Sequence, residues 1–159
     1  MVLPTIVPTG FAGDYTDFFV TKVGRDGDVK RAQGSVSIPA STATDTVIGL
    51  FPFNAGMSFA SLGGFNLHSA DLDSSTNVTV DFGIAYQDTV QGTDDLDAIT
   101  SASTAPQAGG FVAPDEIDWM TLVTTGNGWV TVQVNAATTT TGSLTFNIPF
   151  VYDQPVLIA

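Results

Sequence analysis

The strongest constraint on the fold of this chain is an alternation of apolar and polar side chains that recurs in three separate segments. Residues 77–86, 130–134 and 144–150 each place valine, leucine, isoleucine or a large aromatic side chain at every second position. Successive side chains of an extended strand point to opposite faces, so each segment has one apolar face. The three segments therefore predict β-strands that bury one side against a core.

Further strands are predicted where β-branched and aromatic residues alternate between turn signals. Gly-, Asn- and Asp-rich segments separate them: residues 24–27 and 126–128 are typical of hairpins, 54–56 of a tight turn, and 74–77 of a polar loop. The additional strands are Asp17–Val23, Val29–Ile38, Thr44–Phe53, Ser61–Leu72 and Ile117–Thr124. About eight antiparallel strands at this spacing predict an all-β chain with a β-sandwich or jelly-roll fold.

One short helix is predicted, at Asp94–Ser101, because Thr93 is a suitable N-cap and two aspartates fall in the first turn. The following stretch, Ala102–Pro114, is rich in small residues and is predicted to be a loop.

The chain of 159 residues is long enough for one domain, which we place at residues 14–159. Residues 1–13 differ from it, because Pro4 and Pro8 oppose a regular element while the surrounding side chains are apolar. They predict an extended N-terminal arm that docks on its own domain or on a neighbouring subunit.

Charge and composition exclude several classes of partner. Sixteen acidic residues against 4 basic ones give a net charge of −12, which opposes binding to nucleic acid. No apolar run approaches the roughly 20 residues of a membrane-spanning helix, so no membrane partner is predicted. Cysteine is absent, which excludes disulfides and thiolate metal sites.

No catalytic residue, metal site or cofactor is predicted. The single histidine, His68, precedes Ser69 in a predicted strand, where adjacent side chains point to opposite faces and do not form a nucleophile–base pair. The acidic clusters lack the ligand spacing of an EF-hand, and Asp73 suits a turn beside Asp71. A pair of carboxylates for sugar hydrolysis stays open, with no two residues favoured.

The basic residues are concentrated in one segment. Lys22, Arg25, Lys30 and Arg31 are the only cations of the chain and fall around the first predicted hairpin. They either pair with nearby aspartates or face a complementary acidic or polymeric surface.

Aromatic and apolar residues suggest two further features. Tyr15, Tyr86, Trp119 and Trp129 are candidates for a sugar-stacking platform, with core packing as the alternative. The segment Thr44–Phe53 carries apolar residues on both faces, with Ile48 and Leu50 on one and Val47, Phe51 and Phe53 on the other. Burial on both faces requires a second layer, which predicts a homo-oligomer.

The order of several segments resembles a known family. These are Thr44–Leu50, the strand end Asp71-Leu72-Asp73, Val78–Ile84, the loop Ala108-Gly109-Gly110, and Ala136–Gly142 before the closing strand. Over residues 41–152 the chain resembles the jelly-roll capsid decoration, or cement, proteins of tailed bacteriophages.

The resemblance implies a non-enzymatic virion protein on the outer surface of the capsid. It would bind the major capsid protein, hold neighbouring subunits together and assemble as a homotrimer. The residues expected to contact the capsid are Leu3, Ile6, Val7 and Phe11 of the arm, guided by Lys22, Arg25, Lys30 and Arg31. The alternatives are another virion component, such as a head fibre, tail or receptor-binding jelly roll that contacts host glycans, and a secreted carbohydrate-active enzyme.

Overall fold

The computed structural model describes residues 4, 6, 30–59, 65–74, 77–115 and 121–152, with only the backbone described at positions 30 and 152. The predicted strand Asp17–Val23, the hairpin at 24–27 and residues 116–120 lie outside this part of the chain. The described residues form nine strands and one 3₁₀ helix, η1. Their bounds are β1 Lys30–Ile38, β2 Thr46–Phe53, β3 Met57–Ser58, β4 Asn66–Ser69, β5 Val80–Tyr86, β6 Asp95–Ser103, η1 Ala105–Gln107, β7 Gly110–Phe111, β8 Gly128–Val134 and β9 Gly142–Tyr152.

The strands form two antiparallel sheets. The first sheet has the order β1-β9-β4-β7, with β3 paired to the far end of β9. The second has the order β2-β8-β5-β6. This arrangement confirms the predicted all-β, jelly-roll-like sandwich. Among the described residues, no helix has the length and apolar character that a membrane crossing requires.

The core lies between the two sheets and is built from the alternating segments. Phe51 of β2 stacks on Phe146 and Phe150 of β9, with ring centroids 6.0 and 5.7 Å apart, respectively. Phe82 and Val132 are fully buried in the same cluster. The apolar faces predicted from the two-residue period are therefore the faces that meet in the core.

Strand β2 contains a β-bulge that changes which side chains face the core. Its pairing with β8 skips Leu50, because Gly49 pairs with Thr131 and Phe51 pairs with Val130. A bulge reverses the alternation, so Phe51 returns to the face of Ile48, and both belong to the core with Leu50 and Phe53. The prediction that Phe51 and Phe53 face away from Ile48 is wrong, and these two rings require no second layer from another subunit.

The helix predicted at Asp94–Ser101 is wrong, because this segment is most of strand β6. The carboxylate of Asp94 accepts a hydrogen bond from the backbone N–H of Tyr86 at 2.8 Å, at the connection between β5 and β6. The first-turn acid of the predicted helix therefore stabilises a strand connection. Ala98, Ile99 and Thr100 are buried by pairing and packing of β6 beside β5.

Two predicted connections differ in outcome. The tight turn at 54–56 is confirmed, with Gly56 at a φ of 84° between β2 and β3. The hairpin at 126–128 is not formed, since the preceding Val123 bridges Ser58 of β3 and does not pair with β8.

The predicted loop 102–114 contains η1 and the two-residue strand β7.

Candidate functional surface

The middle of the outer face of the first sheet is exposed and lined by uncharged polar side chains. In β1, β4 and β9 most residues that alternate with the core positions are serine, threonine, asparagine, glutamine or histidine, and the others are Arg31 near the start of β1 and Pro149 and Val151 near the end of β9. We call this surface the polar face and define it by Gln33, Ser35, Asn66, His68, Thr145 and Asn147. All six side chains are exposed except Asn147, which is half-buried.

Strand register arranges these side chains in two rows across the sheet. In one row Thr145 lies between Ser35 of β1 and His68 of β4, and His68 pairs in turn with Phe111 of β7. In the other row Asn147 lies between Gln33 and Asn66. These residues are far apart in the sequence and become neighbours only through pairing with β9.

Few hydrogen bonds tie the polar face together. The hydroxyls of Ser35 and Thr145 are 3.3 Å apart. Arg31 Nη1 donates to Asn147 Oδ1 at 3.2 Å, so the guanidinium is held by an amide oxygen. Within the described part of the chain, the side chains of Gln33 and Asn66 make no hydrogen bond and are exposed.

Phe111 gives the polar face an aromatic edge. Its side chain is 67% exposed, and its ring meets the His68 ring edge-on, with centroids 5.2 Å apart and planes at 84°. Together with Asn66, Thr145 and Asn147, these rings line a concavity of about 310 Å³. An exposed phenylalanine beside the amides of Asn66 and Asn147 offers an apolar surface and polar groups at one site.

Charge is distributed unequally between the two sheets. The strands of the first sheet contain no aspartate or glutamate, whereas β5 and β6 of the second carry Asp81, Asp95 and Asp97. Among the described strands, the acidic residues therefore lie on the second sheet, and the exposed Arg31 lies on the first.

The centre of the outer face of the second sheet is buried. At its centre Thr131 pairs with Gly49 on one side and Gly83 on the other. A Cβ on Gly49 would lie 3.0 Å from Cβ of Pro4, so Pro4 occupies the space above this glycine. The absence of side chains at these glycines lets neighbouring segments approach the sheet closely.

Part of the predicted arm docks on its own chain. Ile6 forms a parallel bridge with Ile48, and its carbonyl accepts a hydrogen bond from the N–H of Gly49 at 2.7 Å. Ile6 thus extends the second sheet beyond β2, and β2 contacts β1, the edge strand of the first sheet. Ile6 and Arg31 therefore belong to the same side of the sandwich.

Most of the other predicted capsid-contact residues cannot be placed in the structure. Leu3, Val7, Phe11, Lys22 and Arg25 lie outside the described residues. The backbone of Lys30 begins β1, and Arg31 follows it with an exposed side chain.

The predicted sugar-stacking platform is not present at its two described members. Trp129 is 5% exposed and Tyr86 is 4% exposed, so neither ring is available to a ligand. Tyr86 meets Phe53 edge-on at 5.6 Å within the core. Tyr15 and Trp119 lie outside the described residues.

The predicted turn role of Asp73 is confirmed. Asp73 is 3% exposed, and its carboxylate accepts hydrogen bonds from the backbone N–H groups of Asn77 at 2.7 Å and Val78 at 3.0 Å and from Thr139 Oγ1 at 3.0 Å. Asp71 accepts from the N–H of Asp73. Across the described ranges, no group of three or more histidine, aspartate or glutamate side chains is placed to hold a metal ion.

The sequence prediction missed the contribution of Phe111 to this surface. Phe111 falls in the segment predicted to be a small-residue loop, where it is the only large aromatic side chain. This isolated aromatic residue is the one feature of the sequence that could have indicated a role for Phe111. Its proximity to His68 depends on the pairing of β7 with β4.

No protein-family model and no curated protein matches this sequence. Two solved structures are similar in fold. A chain in the capsid of Ralstonia phage GP4 matches with a TM-score of 0.66 and 20% identity, over 89% of this chain and 96% of its own length. A chain in the capsid asymmetric unit of cyanophage Pam1 matches with a TM-score of 0.58 and 22% identity, over 83% of this chain and 90% of its own length.

Proposed function

We propose that this chain is a structural, non-enzymatic protein of a bacteriophage particle. The observation that carries the proposal is that its sandwich is similar, over most of both chains, to proteins in two phage capsids. Similarity over most of each neighbour supports a comparable role for the complete sandwich.

Within the particle, we assign the chain to the outer surface of the shell, where it cements neighbouring subunits of the major capsid protein. A small acidic sandwich suits this place, because its charge repels the phosphates of packaged DNA and keeps particles dispersed. A homotrimer at a three-fold position contacts several shell subunits at once, and multivalency strengthens its attachment without requiring a large contact from each copy.

The attachment surface is assigned to the side of the sandwich formed by β1 and the Ile6 segment. The apolar arm residues Leu3, Ile6, Val7 and Phe11 supply buried area, and Lys22, Arg25, Lys30 and Arg31 orient the contact electrostatically. The structure supports this assignment at two points, since Ile6 extends the sheet beyond β2 and Arg31 is exposed on the adjacent β1. Exposed charges affect association rate and orientation more than affinity.

Co-sedimentation with capsids that lack this protein tests the proposal. The purified full chain is expected to pellet with such capsids at a saturable stoichiometry, and analytical ultracentrifugation of the free protein is expected to give the mass of a trimer. Failure of the folded full chain to pellet would overturn the cement role. A monomeric mass would overturn the trimer.

Variants then test the attachment surface. Deletion of residues 1–13 and Ile6→Asp are each expected to reduce pelleting strongly, whereas Val90→Asp should not. Val90 is a matched control, because it is 90% exposed, receives the same apolar-to-acid change and lies in the connection between β5 and β6. Circular dichroism checks that each variant is folded. Undiminished pelleting of the folded deletion variant would refute the role of the arm.

A further inference from the structure

We infer that the concavity beside Phe111 is a binding site for uncharged sugar units of a neutral polysaccharide. The described residues that line it are Asn66, His68, Phe111, Thr145, Phe146 and Asn147. The inference does not rest on the proposed capsid role, because the site belongs to the folded chain itself. On a capsid, the site would give the particle an affinity for neutral surface glycans.

The size of the concavity favours a small ligand over a protein partner. Its volume of about 310 Å³ lies at the lower end of ordinary ligand pockets and suits one or two sugar rings. A stable contact between two proteins buries about 800 Å² on each of them, a much larger surface than a concavity of this volume presents. The ligand that fits is therefore a short stretch of a saccharide chain.

Strand pairing places the polar and aromatic groups of the site side by side. Asn147 of β9 pairs with Asn66 of β4, and in the neighbouring row Thr145 pairs with His68. His68 pairs in turn with Phe111 of β7, so the aromatic ring lies at the end of this second row. Groups carried by paired strands are held more precisely than groups on loops, which favours a site formed before the ligand binds.

Phe111 supplies the apolar part of the site. At 67% exposure it is the only exposed phenylalanine, tyrosine or tryptophan side chain among the described residues. Its ring meets the His68 ring edge-on, with centroids 5.2 Å apart. The faces of a sugar ring carry C–H groups, and an exposed aromatic ring offers a flat apolar surface on which they can pack.

Two amides and a hydroxyl supply the polar part. Asn66 is exposed, and its amide carries both donor and acceptor atoms. Arg31 donates to Asn147 Oδ1 at 3.2 Å, so this bond uses the acceptor of the amide and not its Nδ2 donor. The Thr145 hydroxyl is both a donor and an acceptor. A sugar hydroxyl also donates and accepts, so it can pair with each of these groups.

The charge of the chain favours an uncharged ligand. Among the described residues that line the concavity, none carries a carboxylate, an ammonium or a guanidinium group. The whole chain has a net charge of −12, which repels an anion, and the described lining offers no fixed cation to offset that repulsion. Amides and hydroxyls satisfy the hydrogen bonds of a neutral sugar without either charge.

NMR titration of the isotope-labelled full chain, without capsids, tests the inference. The neutral probes are cellotriose, maltotriose, mannotriose and the methyl ester of trigalacturonate. At least one of them is expected to shift the side-chain amide signals of Asn66 and Asn147 and the backbone signals of His68 and Phe111 in a saturable manner. No saturable shift at these residues from any of the four would overturn the inference.

Two control probes test the chemistry of the ligand. Trigalacturonate adds negative charge to sugar rings, and acetyl-triglycine amide has uncharged hydrogen-bonding groups without sugar rings. Both are expected to bind more weakly than the best neutral saccharide. Tighter binding of trigalacturonate than of every neutral probe would overturn the preference for uncharged units. Equal binding of the peptide and the best saccharide would overturn sugar recognition.

Variants locate the site. Phe111→Ala should weaken binding of the best saccharide about three- to tenfold, the loss expected for one aromatic contact. Asn66→Ala should also weaken it, because it removes an amide that pairs with sugar hydroxyls. Val90→Ala is the matched control, because it removes another exposed apolar side chain outside the site. The NMR spectrum of each variant shows whether it is folded.

Two outcomes would overturn the site assignment. One is saccharide binding that Phe111→Ala and Asn66→Ala both leave unchanged. The other is an absence of saccharide binding together with dissociation of the oligomer by Phe111→Ala, which would assign this face to contacts between copies. Because these measurements use the free protein, they can fail or succeed independently of co-sedimentation.

Discussion

The ring of Phe146 covers Gly34 across the β1–β9 pair, so that a Cβ on Gly34 would lie 2.7 Å from Cζ of this ring. Phe146 is itself stacked on Phe51 of the opposite sheet. The glycine thus provides the space in which an aromatic ring joins the two sheets. This relationship explains why a residue of low strand propensity occupies the middle of β1.

Replacement of Gly34 by alanine is expected to destabilise the protein. The new methyl group displaces the Phe146 ring from its contact with Phe51, and overpacking of this kind costs about 1–3 kcal/mol. Urea unfolding followed by circular dichroism measures the loss. Ser35→Ala, at the next and exposed position of β1, is the control and should change stability by less than about 0.5 kcal/mol. An unchanged midpoint for Gly34→Ala would contradict this account.

Gly83→Ala should be more harmful than Gly34→Ala. A Cβ on Gly83 would overlap the backbone carbonyl oxygen of Asp95, where β6 crosses close to β5. Phe82 pairs with Thr100 but Ile84 pairs with Asp95, so β6 bulges beside Gly83. A backbone atom held by this pairing yields less readily than the end of a side chain. The same urea experiment ranks the two variants, and the reverse order would contradict the argument.

Asp73→Ala is expected to destabilise the chain by about 1–3 kcal/mol or more, because it leaves buried donors without their acceptor. The donors are the N–H groups of Asn77 and Val78 and the hydroxyl of Thr139. Asp97→Ala removes an exposed carboxylate on β6 and is the matched control. Thermal unfolding should show a large decrease in Tm for the first variant alone. Equal Tm values for the two would show that the Asp73 contacts contribute little.

Removal of the arm should expose Trp129. The ring of Trp129 and Pro4 both lie within 3.1 Å of the position that a Cβ on Gly49 would take. In a Trp119→Phe background, where Trp129 is the sole tryptophan, deletion of residues 1–13 should shift its emission to longer wavelength. The full-length Trp119→Phe protein is the reference. Identical emission maxima would mean that the arm does not shield this ring.

The alternating segments of the sequence determined the fold class and most strands of the core. Val132 and Phe146 alternate with polar neighbours, and a side-chain period of two is a local property of an extended backbone. The predicted strands that contain them therefore correspond to β8 and β9. The same local reasoning correctly assigned Asp73 to a turn. Its carboxylate accepts hydrogen bonds from the backbone N–H groups of Asn77 and Val78, which are only a few positions away in the sequence.

Three features that the local sequence pattern leaves open depend on the tertiary structure. Asp94 suits a helix N-terminus as well as a strand connection, and its bond to Tyr86 selects the strand. The bulge at Leu50 returns Phe51 to the core, although strict alternation places it outside. The candidate site has the same origin: His68 and Phe111 meet because β4 and β7 pair, and strand pairing depends on the free energy of the whole sandwich rather than on either segment alone.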